Sequence, residues 1–452
     1  MASKPYTVIS LFSGALGLDL GLERTKRFKL LACVENDGAA CETIRRNRDA
    51  ERLSDRRLIV YEHDICQLDP MRVLADCGLE PGQLDVLVGG PPCQSFSTAG
   101  NRGTIQDFRG TLLWQFLRFI DLMRPKFFLM ENVRGLLSAA RRHRPIKERP
   151  EHGGSPLAND ERSGSVVTQF ADDIGRISTP YRMDCFEVNA VNYGAPQLRE
   201  RALFIGNRFN AVVNFPDPTH GPPDEVADGG SCLFPSGAAK VLPWRVLRDA
   251  IGNVRDESPN VMDFSPRKKR YLAMVPAGSN WRSLPLEIQK ESMGQVFHAK
   301  GGRSGWWRRL NFDLPCPTLV TMPNHAGTSL CHPTELRALS IKEYQMIQEF
   351  PENWEVCGRL AQQYAQIGNA VPVRLGEVAG NVVAAGLDSV AERGWQAYAQ
   401  SADRYRVIYV QSHVRTRQWF KDGLVKVWQD GAANAHAEYG KAKTQRRTRS
   451  LT

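Results

Sequence analysis

Cys93 is the residue whose surroundings most strongly indicate chemistry. It follows Gly89-Gly90-Pro91-Pro92, and the paired prolines fix a rigid loop directly after the short apolar run 86–88. A cysteine held in such a loop projects into the crevice at a strand end, where its thiolate can act as a covalent nucleophile. The other cysteines lack this context and are expected to be small buried hydrophobes. The sequence therefore predicts a nucleophile at position 93.

Two later segments carry a glutamate and a pair of arginines. Glu131 directly follows the apolar run 126–130, where a glutamate is either solvated or a pKa-tuned acid. Arg199 and Arg201 alternate just before the apolar run 202–206. Alternate residues of an extended segment point to one side, so the two guanidinium groups can grip a phosphate or a base oxygen. The alternative is a pair of exposed charges on an edge strand.

Glycines and acids mark a third candidate site. The glycine turn, Phe12-Ser13-Gly14-Ala15-Leu16-Gly17, lies between a predicted strand and a predicted helix, where the backbone can approach a ligand and the helix amino end favours an anionic group. Glu35 and Asp64 end the next two strands, where a carboxylate can accept hydrogen bonds from ribose hydroxyls. A dinucleotide site or solvated acids would explain each feature alone. Together the features favour a nucleoside-bearing cofactor.

An alternation of strand and helix patterns must position these residues. Strands are predicted over 6–11, 30–35, 58–61, 86–88 and 126–130, and helices over 18–24, 38–48 and 112–123. This succession predicts an α/β fold with a doubly wound, mostly parallel sheet. Ligands of such sheets bind at the carboxyl ends of the strands, so the candidate segments are expected to meet there.

The chain of 452 residues is too long for one ordinary core, so two domains with extensions are expected. A catalytic and cofactor-binding domain is predicted over 1–210, with a return over 334–395. An irregular second domain rich in Pro, Gly and Trp is predicted over 211–333, and a basic extension over 396–452. Residues 141–165 are polar and aperiodic, which predicts a mobile loop.

Charge and cysteine usage narrow the class of protein. The net charge of +10 is consistent with a polyanionic partner such as nucleic acid. The ten cysteines are scattered singly, which argues against a disulfide framework and for a reducing cytoplasm. No metal site is predicted, because Cys316, Cys331 and His332 fit no zinc spacing. No apolar run approaches the ~20 residues of a membrane span, so a cytoplasmic protein is expected.

The ordered series of segments resembles the DNA (cytosine-5) methyltransferases over residues 8–206 and 336–390. The glycine turn is similar to the family's cofactor loop, Pro91-Pro92-Cys93-Gln94 to its catalytic motif, and Glu131-Asn132-Val133 to its glutamate motif. Residues 197–201 resemble the arginine motif, 337–351 the penultimate motif and 366–372 the last motif. Leu16 departs from the family pattern, in which glycine is frequent at this position.

The resemblance implies methyl transfer from S-adenosylmethionine to carbon 5 of cytosine in a specific double-stranded DNA sequence. The Cys93 thiolate would add to carbon 6 of the ring, and Glu131 would hydrogen-bond the ring nitrogen N3. Arg201 would contact the cytosine O2, and Arg199 would support the nearby backbone. The positions implied to bind the cofactor are Phe12, Ser13, Gly14, Leu16, Gly17, Glu35, Asn36, Asp64, Ile65, Pro91, Asn369 and Val371.

The resemblance also implies how DNA is engaged. The target base must leave the duplex stack, and residues 96–111 resemble the loop that closes over it. The irregular domain occupies the place of the target-recognition region. Its candidate DNA contacts, for which packing and solvated charge are the alternatives, are Arg303, Trp306, Trp307, Arg308 and Arg309. A monomer associated with the nucleoid is expected, with a cognate restriction endonuclease as a possible partner.

Other functions fit less of the sequence. A nicotinamide or flavin oxidoreductase would use the same sheet but would leave Pro92-Cys93 and the paired arginines without a role. A tRNA cytosine methyltransferase has similar motifs, but its usual Cys-Phe-Thr signature is not visible. A catalytically inactive DNA-binding module would not need Cys93, Glu131 and Arg201 together. N4-cytosine and N6-adenine methyltransferases need no cysteine after paired prolines.

Overall fold

A nine-stranded sheet forms the centre of the computed structural model. The structure describes residues 4–92, 111–222, 241–299, 304–399 and 404–410, and the backbone of three later strands. In chain order the strands are β1 (Tyr6–Leu11), β2 (Phe28–Glu35), β3 (Ile59–Glu62), β4 (Val86–Gly89), β5 (Phe127–Val133), β6 (Arg182–Asn189), β7 (Glu200–Asn207), β8 (His220–Gly221), β9 (Leu242–Pro243), β10 (Tyr405–Tyr409), β11 (Thr416–Lys421), β12 (Leu424–Gln429) and β13 (Thr448–Arg449).

The strand order in the large sheet is β13-β10-β6-β7-β5-β4-β1-β2-β3. Strands β3, β2, β1, β4 and β5 run parallel, β7 is antiparallel to both of its neighbours, and β6 and β10 again run parallel to β5. The predicted α/β fold with a mostly parallel, doubly wound sheet is therefore confirmed. We call the edge at which β1, β2, β4 and β5 end the carboxyl edge.

Helices cover both faces of the sheet. In chain order the α-helices of the described residues are α1 (Gly17–Arg24), α2 (Gly38–Asp49), α3 (Pro70–Asp76), α4 (Leu112–Met123), α5 (Ser165–Ile174), α6 (Leu247–Ile251), α7 (Pro266–Leu272), α8 (Leu286–Met293), α9 (Ile341–Ile347), α10 (Leu360–Asn369) and α11 (Val373–Glu392). Side chains of α1, α2 and α11 share one buried core with Val8 and Phe127, whereas α3, α4 and α5 share another with Ile9 and Phe128. Consecutive strand residues thus point to opposite faces, and burial of both faces explains the continuous apolar runs in the sequence.

A separate small core lies outside the two cores of the sheet. It consists of Phe264, Tyr271, Leu272, Val275, Trp281, Leu284, Met293, Trp307, Cys331 and Ala338. The chain enters it after α6, leaves it near Leu310 and contributes Cys331 and Ala338 to it later. Leu247, Ile251 and Leu310 pack in the core that contains α1 and α11. Within the described residues, the α-helices of this part are the short α7 and α8, as the aperiodic sequence indicates.

Strand β10 extends the sheet into the part of the sequence predicted to be a basic extension. It pairs in parallel with β6, so it is an integral strand of the nine-stranded sheet. Its Arg406 places Nε 2.6 Å from the fully buried carboxylate of Asp184 and donates through Nη2 to the carbonyl of Val213 at 2.8 Å. Because those partners are distant in sequence, the local pattern did not indicate this pairing.

Residues 141–165 contain short 3₁₀ turns rather than a long element. Arg142 and Arg144 form ion pairs with Asp160 and Glu161, so charged side chains fasten the span predicted to be a mobile loop. Within the described ranges, no helix is long and apolar enough to cross a membrane. The same ranges contain no group of three or more side chains that could hold a metal ion.

Candidate active site

Glu131 and Arg201 form an ion pair at the carboxyl edge. Glu131 lies near the end of β5 and Arg201 near the start of the antiparallel β7, and Arg201 Nε is 2.5 Å from Glu131 Oε1. Both side chains are almost fully buried, at 12% and 11% exposure. A Cβ atom at Gly90 would lie 3.2 Å from the other oxygen of Glu131, so the glycine leaves room for the carboxylate. Glu131 and Arg201, two of the residues predicted from the sequence, therefore lie together in one site.

Asn132 fastens the loop that leads to the predicted nucleophile. Its side-chain amide, buried on β5, donates to the carbonyl of Pro91 at 3.0 Å, while its oxygen accepts from the amide of Val133 at 2.9 Å. Pro91 is buried and Pro92 is exposed at the carboxyl edge. Cys93 itself lies outside the described residues, as does the span to residue 110. Sequence reasoning did not single out Asn132, although it stands within the Glu131-Asn132-Val133 segment.

Arg199 has a different setting from Arg201. Its side chain is 1% exposed, and it donates to the carbonyls of Gly368 and Asn369 at 3.0 Å and of Leu319 at 3.3 Å. Burial, reinforced by the charge of Arg201, lowers the pKa of Arg199 well below its usual range. These bonds join the arginine segment to the end of α10, so Arg199 has the contacts of a positioning residue.

Two glutamines extend this junction. The side-chain amide of Gln197 donates to that of Gln348 at 3.0 Å, and Gln348 in turn donates to the carbonyls of Ile367 and Ala370 at 2.7 and 3.0 Å. All of these groups are buried or partly buried, so each bond satisfies a polar group that water cannot reach. The last motif is thereby fixed beside the arginine motif. The partners are far apart in sequence, which is why spacing alone did not reveal them.

The glycine turn has an unusual backbone at three positions. Phe12, Gly14 and Leu16 have φ values of 54°, 51° and 68°, in the left-handed region. For the fully buried Leu16 this conformation costs on the order of 1 kcal/mol, and packing in the core offsets the cost. Ser13 is also buried, and its hydroxyl donates to the carbonyl of Ser10 at 3.1 Å. The turn thus leads into the amino end of α1, where the first backbone amides of a helix have no partner within the helix.

Gly17 brings the glycine turn against the last motif. A Cβ atom at this position would lie 2.4 Å from the carbonyl oxygen of Val371, so only glycine permits the contact. Val371 is buried and follows Asn369, whose side chain is exposed. Two segments separated by more than three hundred residues in the predicted cofactor set are therefore adjacent.

Glu35 ties the end of β2 to the glycine turn. Its Oε2 accepts from the amide of Gly14 at 2.8 Å, and its Oε1 accepts from the amides of Asn36 and Asp37 at 2.8 and 2.9 Å. A carboxylate has about four lone-pair sites, so one remains for a ligand hydroxyl. Glu35 is half-buried and Asn36 is exposed, which leaves the site open to solvent.

Asp64 and Ile65 follow β3, the next strand along the edge. The Asp64 carboxylate is exposed and accepts from the amide of Cys66 at 2.9 Å, while Ile65 is buried. The pairing of β2 with β3 places this turn beside the one that holds Glu35. The carboxyl edge therefore presents both predicted acids on neighbouring strands.

Asp19 is a buried acid behind the glycine turn that sequence reasoning did not identify. It lies in the first turn of α1 with 3% exposure, and its Oδ1 has no hydrogen-bond partner among the described residues. Burial raises the pKa of Asp19 from 3.8 to about 7, while a hydrogen bond with the Ser10 side chain opposes the shift. A carboxyl in this setting is largely neutral below pH 7.

The candidate DNA contacts of the irregular domain are mostly engaged within the protein. The guanidinium of Arg309 donates to the carbonyls of Pro333 and Thr334 at 3.1 Å, and Arg308 donates to that of Ser329 at 3.2 Å. Trp307 is 3% exposed and donates to a serine hydroxyl. These contacts favour packing roles for the three residues. Trp306 is half-buried, and Arg303 lies outside the described residues.

Comparison with known proteins identifies the family. Residues 6–384 match the C-5 cytosine-specific DNA methylase family. The chain is similar to the Type II methyltransferase M.Eco47II of Escherichia coli, with 36% identity over 400 residues that cover 87% of this chain and 82% of that protein. It is also 34% identical to M.Sau96I of Staphylococcus aureus over 379 residues, covering 84% of this chain and 75% of that protein.

A solved structure shows the same fold. A DNA modification methyltransferase encoded within an Escherichia coli prophage aligns with a TM-score of 0.52 and 22% identity, over 86% of this chain and 99% of that chain. The match to the family spans Glu131, Arg199 and Arg201 together with the glycine turn and the last motif. This chain therefore belongs to the C-5 cytosine-specific DNA methylase family and is a DNA (cytosine-5-)-methyltransferase.

Proposed function

We propose that the enzyme methylates cytosine within a specific double-stranded DNA sequence, using S-adenosylmethionine and a covalent adduct between Cys93 and a flipped-out base. The observation that carries this proposal is the buried Glu131–Arg201 pair beside the loop that Asn132 ties through Pro91. A buried carboxyl group, a buried guanidinium group that donates hydrogen bonds, and a cysteine on a rigid loop suit addition to a cytosine ring.

The cofactor site is assigned to the carboxyl edge from the glycine turn to Asp64. The first backbone amides of α1, which have no partner within the helix, suit a carboxylate, and the remaining lone pair of Glu35 suits a ribose hydroxyl. When bound there, S-adenosylmethionine supplies an electrophilic methyl group. The residues proposed to hold it are Phe12, Ser13, Gly14, Leu16, Gly17, Glu35, Asn36, Asp64, Ile65, Pro91, Asn369 and Val371.

Cys93 activates the base by forming a bond from its thiolate sulfur to carbon 6. Addition at carbon 6 moves electron density to carbon 5, which becomes the nucleophile for the methyl group. Methyl transfer leaves S-adenosylhomocysteine as the product. A base then takes the proton from carbon 5, the carbon–sulfur bond breaks and the thiolate departs, which restores the aromatic ring. Each bond that the cysteine makes is thus broken again within one turnover.

Glu131 and Arg201 hold the base during this addition. Glu131, in its protonated form, donates to N3 and stabilises the charge that develops as sulfur adds. Arg201 donates to O2, and its 2.5 Å contact with Glu131 fixes the two groups relative to each other. Arg199 acts through its carbonyl partners on the last motif rather than on the base.

The proposed domains follow the chain order of the sheet and the small core. Residues 1–210 and 334–395 form the catalytic and cofactor-binding domain, and residues 396–452 are a basic extension whose β10 joins its sheet. The insertion, residues 211–333, contains most of the small core and is the proposed target-recognition domain. Its place between the arginine and penultimate motifs lets it hold duplex DNA against the carboxyl edge.

The names of the relatives indicate a biological setting. M.Eco47II and M.Sau96I are named Type II methyltransferases. By analogy, this enzyme belongs to a restriction-modification system in which it protects a sequence that a cognate endonuclease cleaves. We further propose that it acts as a monomer, because base flipping and methylation of one strand need one active site.

The decisive experiment compares Cys93→Ala with Cys77→Ala, a half-buried cysteine directly after α3 and outside the site. Transfer of tritiated methyl groups to duplex DNA should be lost in the first variant and retained in the second, while both still bind DNA. Bisulfite sequencing of DNA from cells that express the wild type should show 5-methylcytosine in one sequence context. Substantial transfer by Cys93→Ala would contradict the covalent mechanism.

A further inference from the structure

Glu349 occupies a position whose backbone and side chain are both unusual. It lies between α9 and α11 with φ at 63°, in the region that L-amino acids rarely adopt. Its side chain is 7% exposed, although a carboxylate is rarely buried without partners. A strained backbone and a buried charge at one residue indicate that the surrounding contacts hold it in place.

Arginines from three separate segments converge on this residue. Arg245 Nη1 lies 2.7 Å from Oε1 of Glu349, and Arg374, at the start of α11, lies 3.8 Å from the same oxygen. Arg24, at the end of α1, donates to the backbone carbonyl of Glu349 at 2.5 Å. Burial raises the pKa of Glu349, and the three arginine charges oppose that shift.

Arg245 belongs to the insertion, whereas Arg24 and Arg374 belong to α1 and α11, which pack beside the glycine turn. Arg245 also donates to the carbonyl of Gly194 at 3.2 Å, so it contacts the catalytic domain on two sides. Immediately after it, the amides of Leu247 and Arg248 donate to the carbonyls of Leu314 and Phe312, each at 2.9 Å. The connections into and out of the small core are therefore bonded together next to Arg245.

We propose that Glu349 is a positioning residue for target recognition, because its contact with Arg245 fixes the two bonded segments of the insertion, 245–248 and 312–314, against α1 and α11. This rests on the proposed function of the insertion in DNA recognition. A shift at Arg245 would move the two bonded connections together and change how the small core faces the carboxyl edge. Among the described residues, the ion pairs of the Glu349 side chain are with Arg245 and Arg374 and not with the arginine that pairs with Glu131.

The test uses Glu349→Gln, Arg245→Gln and the double variant, with Glu377→Gln as the matched control. Glu377 pairs with Arg374 at 3.2 Å but makes no ion pair with Arg245 in the described part of the chain. Each single variant should raise KM for a duplex substrate by about three- to tenfold, the range of a partly buried ion pair, with kcat within about twofold. The double variant should raise KM no further, and the control should match the wild type.

Glu349→Gly distinguishes the effect of losing the carboxylate from the effect of the strained backbone. Glycine accepts the left-handed conformation without strain, so this variant should fold at least as stably as Glu349→Gln and still show the higher KM. Hydrogen exchange at residues 247–251 and 310–316 should be faster in all three single variants at Glu349 and Arg245. This readout remains valid if DNA methylation itself is not observed.

Two results would overturn the proposal. One is unchanged KM together with unchanged hydrogen exchange in Glu349→Gln and Glu349→Gly. The other is an additive rise of KM in the double variant, because independent effects would show that the two side chains do not act through their mutual contact. If the wild type fails to methylate DNA but hydrogen exchange is faster in the variants as expected, only the proposed function is contradicted.

Discussion

The Glu131 carboxylate and the Arg201 guanidinium meet at 2.5 Å, although the Cα partner of Arg201 across the strand pair is Val133. Their side chains therefore converge along the strands rather than directly across them. This arrangement holds the carboxyl group and the guanidinium group together at the carboxyl edge before a substrate binds. In the proposed mechanism, it provides the preorganised electrostatic environment for addition to the cytosine ring.

Replacing Glu131 with glutamine should preserve the fold and remove the acid. We expect kcat to fall by about 10²–10⁴, the range of general acid–base assistance, with S-adenosylmethionine affinity unchanged. Single-turnover methyl transfer measures the effect. Glu200→Gln is the matched control, since Glu200 pairs with Arg134 at 3.1 Å on the same strand as Arg201. A loss of less than tenfold in Glu131→Gln would exclude an acid role.

Glu35→Ala should weaken cofactor binding. Its carboxylate organises the amides of Gly14, Asn36 and Asp37 and retains a lone pair for a ribose hydroxyl. We expect a loss of about 1.5–3 kcal/mol in binding free energy, the cost of losing a hydrogen bond to a charged group. Isothermal titration calorimetry with S-adenosylmethionine checks this value. Glu62→Gln, at the end of β3, should bind normally, and equal affinities in both variants would refute the assignment.

Arg199→Met should destabilise the protein more than it affects chemistry in the folded fraction. The substitution leaves the carbonyls of Gly368, Asn369 and Leu319 without a donor in a buried site. The free energy of unfolding should fall by about 3 kcal/mol or more. Arg208→Ala is the control, because Arg208 also donates to carbonyls but at a partly exposed position. Urea unfolding measures the loss of unfolding free energy in each variant, and equal losses in Arg199→Met and Arg208→Ala would contradict the special role of Arg199.

The strand–helix alternation and the strand-end residues could be predicted because they depend on local patterns. Apolar runs followed by Glu35, Glu131 or Gly89 mark where parallel strands end, and such ends share one edge. The partners of Arg199 could not be predicted, since they lie about 120 to 170 residues away along the chain. Likewise, the interior contacts of Arg309 arise from an irregular core without periodicity.

The stability of the protein should depend on pH through Asp19. Burial raises its pKa to about 7, so the folded state binds a proton that the unfolded state releases above pH 4. The free energy of unfolding should therefore decline from about pH 4 to about pH 7 and level off above it. The neighbouring Glu23 adds to this shift, and burial also keeps the nearby Cys33 thiol neutral.

Asp19→Asn should remove most of that decline. At pH 8 the variant should be more stable than the wild type by up to about 4 kcal/mol, the upper limit set by the pKa shift, whereas the two should be similar near pH 4. Denaturant unfolding between pH 4 and pH 8 measures the difference. Glu42→Gln, an exposed acid of α2, should leave the profile unchanged. A parallel profile for Asp19→Asn and the wild type would contradict the prediction.

The last prediction concerns the strand that joins the sheet from beyond the last motif. Asp184 on β6 is fully buried and contacts Arg182 and Arg406, and it also accepts from the amide of Val213 at 2.9 Å. Arg406→Ala removes one partner and leaves the carboxylate less compensated, a change that typically costs about 3–5 kcal/mol. Arg404→Ala is the matched control, since Arg404 contributes its backbone carbonyl to Met183 and has an exposed side chain.

Urea unfolding should show the large loss of unfolding free energy in Arg406→Ala and not in Arg404→Ala. In an Asp184→Asn background, Arg406→Ala should cost less, because the charge that needs compensation is gone. At a temperature where the variant is folded, its kcat should equal that of the wild type, since β6 and β7 separate β10 from Glu131 on β5. Unchanged stability in Arg406→Ala would mean that β10 does not stabilise the sheet. A loss of kcat without a loss of stability would instead assign the strand to the active site.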